Sequence, residues 1–99
     1  MFIHVEVNWQ DFRGDVGEDI ASIESRFKSG FWPNKVEIYN YKKFSCLLSS
    51  WCEVALEFDL WTDAVQNAAY ELLNRWSRTS SFHVSYTEIQ PPVLIATPL

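Results

Sequence analysis

Cys52-Glu53-Val54-Ala55-Leu56-Glu57-Phe58-Asp59-Leu60 decides the fold. Cys52, Val54, Leu56, Phe58 and Leu60 alternate without a break with Glu53, Ala55, Glu57 and Asp59, the period of two expected of a strand with one face buried and the other in water. A strand over 52–60 is predicted, and its open face carries three carboxylates, Glu53, Glu57 and Asp59.

Downstream the period changes. Asp63 is followed three residues later by Gln66, a capping-box spacing, and Val65, Ala68, Ala69, Leu72, Leu73 and Trp76 recur at helical period. This predicts a helix over 63–78, broken by Thr79, Ser80 and Ser81. Phe82, Val84 and Tyr86 then alternate with His83, Ser85 and Thr87 as a last strand. The tail over 91–99 combines three prolines with the apolar run Val93-Leu94-Ile95.

Upstream, 44–51 fits two periods: Phe44, Leu47, Leu48 and Trp51 have helical spacing, while Phe44, Cys46 and Leu48 have strand spacing. It is taken as an extended, bent hairpin arm. Before it, Val36 and Ile38 alternate with Glu37, Tyr39 and Tyr41, giving a strand over 35–41 after a turn at Pro33 and Asn34. Val16, Ile20, Ile23 and Phe27 mark a helix over 15–29, opened by Asp15 and Glu18 and stopped at Gly30. Ile3, Val5, Val7 and Trp9 alternate with His4, Glu6 and Asn8 in a first strand, 2–9.

The element order is β, α, β, β, α, β, the split βαβ pattern that folds as a four-stranded antiparallel sheet with both helices on one face. Right-handed crossovers then give the strand order 4-1-3-2, a ferredoxin-like α+β fold. Ninety-nine residues suffice for one domain with one core. Five Trp, seven Phe and four Tyr exceed what such a core is expected to hold, so some should mark a contact surface.

Thirteen Asp+Glu against eight Lys+Arg give a net charge of −5. That balance opposes direct nucleic-acid binding and an anionic membrane surface, and it steers the chain toward a basic protein or ribonucleoprotein. Arg26, Lys28, Lys35, Lys42 and Lys43 fall in one stretch opposed only by Glu37, which predicts a locally basic edge. No leader-like segment and no apolar run of about 20 residues is visible, so a cytoplasmic chain is expected. With three glycines, and no phosphate loop, dinucleotide fingerprint or zinc-ligand spacing, no cofactor and no metal are expected. Cys46 and Cys52 are expected to be buried free thiols.

Two constellations remain on the predicted open face. Glu37, Tyr39, Tyr41, Trp51, Glu53, Glu57 and Asp59 interleave carboxylates with aromatic rings, the ingredients of a protein interface. Tyr39 and Tyr41 could otherwise stack on RNA bases, but such a sheet needs a basic surround. In the predicted order the first and last strands are neighbours, so His4 and His83 could approach each other near Glu6, an arrangement suited to acid-base chemistry; the plainer reading, and the one favoured, is that both sit on a solvated sheet face and only hydrogen-bond. The leading expectation is a non-enzymatic inhibitor of a basic target such as a nuclease. Its profile resembles that of toxin immunity proteins and phage-encoded inhibitors of defence nucleases. The alternatives are a small dimeric enzyme using His4 or His83 on an apolar substrate held between sheet and helices, or a regulatory subunit. In the last case Phe31-Trp32-Pro33 or the apolar tail would contact a sister chain, and a homodimer through a strand edge is compatible with the sequence.

Overall fold

The computed structural model describes residues 2–10, 14–44 and 48–90, with side chains as far as Tyr86. The elements are β1 (Phe2–Gln10), α1 (Val16–Phe31), β2 (Lys35–Phe44), β3 (Ser49–Glu57), α2 (Asp63–Trp76) and β4 (Phe82–Gln90). The strands form one antiparallel sheet in the order β2-β3-β1-β4. The ferredoxin-like arrangement predicted from the alternation of period is the one observed. The hairpin arm read over 44–51 becomes the end of β2 and the start of β3, paired as Phe44 with Ser49. Cys46 and the tail over 91–99 lie outside the described residues.

Cys52, Val54 and Leu56 of β3 are fully buried and stand opposite Val7, Val5 and Ile3 of β1. Ile23, Phe27 and Phe31 of α1 and Ala69 and Leu73 of α2 close on the same face, together with Phe82 and Val84 of β4. The Trp76 ring stands edge-on to Phe27, Phe31 and Phe82, with centroids 5.2 to 5.4 Å apart, the geometry that ring quadrupoles favour. This core takes in more aromatic rings than the composition led us to expect, because Trp9, Tyr41, Trp61 and Tyr86 also pack along its margin. Among the described residues the exposed rings are Trp32 and, about half as open, Phe2, Tyr39 and Phe44.

The helix ends differ from expectation for identifiable reasons. Asp15 caps α1 as predicted, accepting from the Glu18 N–H at 2.8 Å. Gly30 does not stop the helix. A Cβ there would lie 3.1 Å from Leu72 Cδ2 and from the Trp76 ring, so glycine lets α1 and α2 approach, and Trp32 takes the left-handed cap position with φ 51°. In α2 the cap is Thr62, whose hydroxyl accepts from the Val65 N–H, while Gln66 instead accepts from Trp61 Nε1.

β3 ends three residues before the alternation does. Phe2 and Lys35, the first described residues of β1 and β2, both stand opposite Glu57, the last residue of β3. Phe58 still turns inward, whereas Asp59 and Leu60 lie exposed in the connection to α2.

β2 carries a bulge. Asn40 and Tyr41 together stand opposite Cys52 alone, between the pairs Tyr39–Glu53 and Lys42–Trp51, and Asn40 has φ 54°. Asparagine is one of the few residues that adopts this conformation readily. The extra residue reverses the facing of everything after it. Asn40→Val should cost about 1 to 3 kcal/mol more than Asn40→Gly in urea denaturation, since both lose the side-chain amide but only valine resists the left-handed backbone. Equal losses would show that this position does not need a positive φ.

Candidate functional site: the uncovered face of the sheet

Both helices lie on one side, so the other side of the sheet has no covering layer among the described residues. Register orders that face into rows across β2, β3, β1 and, where its side chains are described, β4. Lys35, Glu57 and Phe2 form the first row, Glu37, Ala55 and His4 the second, Tyr39, Glu53, Glu6 and Ser85 the third, and Lys42, Trp51, Asn8 and His83 the fourth. Glu6, Glu37, Glu53 and Glu57 thus meet only Lys35 and Lys42 as formal cations on the described part of this surface.

The third row is its centre. Glu53 accepts from Asn40 Nδ2 and lies 3.4 Å from His4 Nε2. The His4 imidazole in turn lies 5.8 Å from the Tyr39 ring. Burial, then the charges of Glu53 and Glu37, push the Tyr39 phenol above its ordinary value, so the ring presents a protonated hydroxyl on the open face. Glu6 stands directly opposite Glu53 and has no hydrogen-bond or ion-pair partner among the described residues.

A hollow lies on each side of this ridge. Ala55, the small residue of the second row, leaves one of about 270 Å³ bounded by Phe2, Lys35, Glu37 and Glu57. The other, about 140 Å³, is lined by Glu6, Asn8, Trp51, His83 and Ser85. Both fall below the roughly 300 to 1,000 Å³ typical of small-molecule sites.

Of the residues expected on this face, Glu37, Tyr39, Trp51, Glu53 and Glu57 are there. Tyr41 is not, because the bulge at Asn40 turns it under the sheet, where its hydroxyl donates to Asp19 Oδ2 of α1. Asp59 is not either, since the strand has ended; it borders a separate depression with Trp32, Pro33 and Leu60. The histidines do not meet. His83 stands opposite Asn8 and His4 opposite Glu88, and four residues along β1 separate the two positions by about 13 Å. Thr87 contributes the irregularity in β4, and its side chain is outside the described residues. No group of three or more His, Cys, Asp or Glu among the described residues could hold a metal ion.

The predicted basic edge is dispersed. Arg26 stacks over Trp9 and Phe82, Lys28 pairs with Glu24, Lys35 with Glu37, Lys42 lies over Trp51, and Lys43 donates to the Gly14 carbonyl.

Sequence reasoning missed a buried polar group beneath the face. Asp19 is fully buried, with Tyr41 on one oxygen and no hydrogen-bond partner on Oδ1, and Ser50 and the free thiol of Cys52 lie in the same buried region. Burial, reinforced by the Asp19 and Glu53 charges, pushes the Cys52 thiol from 9.0 up to about 12. Burial and the hydrogen bond to Asp19 push the Tyr41 phenol up as well. A clue was present: Asp19 occupies the apolar stripe of α1, four residues before Ile23, with Phe27 and Phe31 following at the same step.

No protein-family model matches the chain, and a search of curated proteins returns no relative. Among the described residues no helix is long and apolar enough to cross a membrane.

Proposed function

We propose that this chain is a non-enzymatic binding protein that occludes a basic macromolecular target, with the uncovered sheet face as its contact surface. One observation carries the reading: the layer that a helix pair leaves open presents Glu6, Glu37, Glu53 and Glu57 around Tyr39 and Trp51. Carboxylates set encounter rate and specificity, while half-exposed rings supply area for tight contact. The target class with matching Lys and Arg is one that ordinarily grips nucleic acid, a nuclease or ribonucleoprotein. A protein seated in such a cleft competes with phosphate for the same cations. Toxin immunity proteins and phage-encoded defence inhibitors work within this class, and the assignment to it is by analogy of profile. The interior is less suited to catalysis, because Phe27, Phe31, Trp76 and Phe82 pack the space between sheet and helices and both histidines lie on the open side.

The test is capture from host lysate by the tagged wild-type chain and by a Glu37→Lys/Glu57→Lys variant. Wild type should retain one basic nucleic-acid-binding protein that salt releases and whose nucleic-acid binding is blocked while held. The variant should bind it at least tenfold more weakly, with a shallower salt dependence. Equal capture by both, or a captured protein that still binds nucleic acid, would overturn the proposal.

A further inference from the structure

The hollow beside Trp51 has a narrower chemistry than the face as a whole. Its walls are defined by register: Trp51, Asn8 and His83 stand side by side across β3, β1 and β4, with Glu6 and Ser85 in the adjoining row. At about 140 Å³ it admits the end of one side chain and not a whole metabolite. We infer that it is a subsite for a guanidinium group, taking one arginine of the basic partner. This rests on the binding function proposed above and names the chemistry of its central contact.

Three observations converge on it. Glu6 and Glu53 are cross-strand neighbours of like charge, an arrangement that disfavours folding unless a cation compensates it. Asn40 and His4 already engage Glu53, so the carboxylate without a partner among the described residues is Glu6, and it borders the hollow. The Trp51 ring is already used as a cation surface within the molecule: Lys42 reaches it from β2, with Nζ 5.6 Å from the ring centroid, on the opposite side of β3 from the hollow. The remaining walls, Asn8, Ser85 and His83, add hydrogen-bond acceptors. A planar guanidinium offers five donors and a flat face, so it can meet the Glu6 carboxylate, reach neighbouring acceptors and stack on indole together. An ammonium is a point charge that satisfies only part of this set. The free amino acid is the poorer source, because its α-carboxylate would face Glu6 and Glu53.

The test uses the full chain labelled with 15N and four probes: an end-blocked Gly-Arg-Gly peptide, its lysine and citrulline counterparts, and free L-arginine. The arginine peptide should shift the Trp51 indole N–H and the amides of Glu6, Asn8 and Ser85 at millimolar concentration. Lysine should bind at least threefold more weakly, free arginine more weakly than the blocked peptide, and citrulline should leave the spectrum unchanged. Glu6→Gln should weaken arginine binding about tenfold, whereas Lys42→Ala should not weaken it. Equal response to arginine and citrulline, shifts centred away from Glu6, or an unaffected Glu6→Gln would each overturn the subsite. The two proposals also fail separately. If Glu37→Lys/Glu57→Lys abolishes target capture while Glu6→Gln and Trp51→Phe retain it, the face stands and the subsite does not. If the arginine peptide binds as described but no basic target is captured, the subsite stands without the occlusion function.

Discussion

Phe27→Ala is expected to destabilise the domain by about 3 to 5 kcal/mol, the range for removing a fully buried aromatic side chain. Phe27 is fully buried and stacked on Phe31 at 5.7 Å, edge-on to Trp76 at 5.2 Å and tilted against Phe82 at 6.1 Å. Truncation therefore removes contacts with both α1 and α2 and with β4, and leaves a cavity where three other rings cannot all collapse inward. A domain of this size is stable by roughly 5 to 15 kcal/mol in total, so a loss of about 3 to 5 kcal/mol takes at least about a fifth of its margin. Its Tm should fall by on the order of 15 to 30 °C, read by circular dichroism and, because Trp76 adjoins the cavity, by tryptophan fluorescence. Phe2→Ala is the control. Phe2 is 42% exposed at the edge of the open face, and its loss should cost less than about 1 kcal/mol. Comparable losses in the two variants would refute the assignment of Phe27 to the core and Phe2 to the surface.

That contrast also marks how far the sequence could be read. The topology was legible because 52–57 alternates without interruption and both helices carry apolar residues at helical period; tertiary packing only confirmed what local pattern required. Glu37, Tyr39, Glu53 and Glu57 are found on the open face for the same reason, as alternation fixes facing while a strand continues, whereas the two periods of 44–51 leave the facing of Trp51 open, and it follows from the pairing with Lys42 and Asn8. It fails where the strand does not continue regularly. One bulge residue at Asn40 inverts Tyr41, and although asparagine adopts a positive φ readily, its presence in Tyr39-Asn40-Tyr41 does not by itself require one. β3 stops at Glu57, level with Phe2 of β1 and Lys35 of β2, although the alternation runs on through 58–60. In α1 the stripe read from Val16, Ile20, Ile23 and Phe27 sits one step off the buried one, Asp19, Ile23, Phe27 and Phe31. A buried aspartate is the residue that an apolar count discards. Which rings enter the core is likewise a volume question that composition does not answer.

The buried group that this offset conceals predicts a strong alkaline instability. In the unfolded chain the Cys52 thiol ionises around 9.0, whereas in the folded protein it keeps its proton to about 12 because it is buried beside Asp19 and Glu53. Between these values the unfolded state binds fewer protons than the native state, so stability falls as pH rises. The contribution is fully present below pH 9 and is lost progressively toward pH 12, at no more than about 1.4 kcal/mol per pH unit. Tyr41, raised by burial and by its hydrogen bond to Asp19, acts in the same direction from about pH 10 upward. At pH 10.5 the thiol alone should therefore remove about 2 kcal/mol relative to pH 8. Cys52→Ala separates this from the general effects of alkali. The variant should be less stable than wild type at pH 8, since it leaves a small cavity under β3, yet its stability should decline with pH by about 2 kcal/mol less, because no thiol remains to ionise on unfolding. Tyr41→Phe should be destabilised by about 1 to 3 kcal/mol at pH 8, since it strips the buried Asp19 carboxylate of its hydrogen-bond donor, and by less at pH 10.5, since no phenol remains to ionise on unfolding. Urea denaturation of the three proteins at pH 8 and 10.5 decides the matter. Parallel declines for wild type and Cys52→Ala would mean that the thiol does not hold its proton in the native state, and that the pocket around Asp19 is open to water.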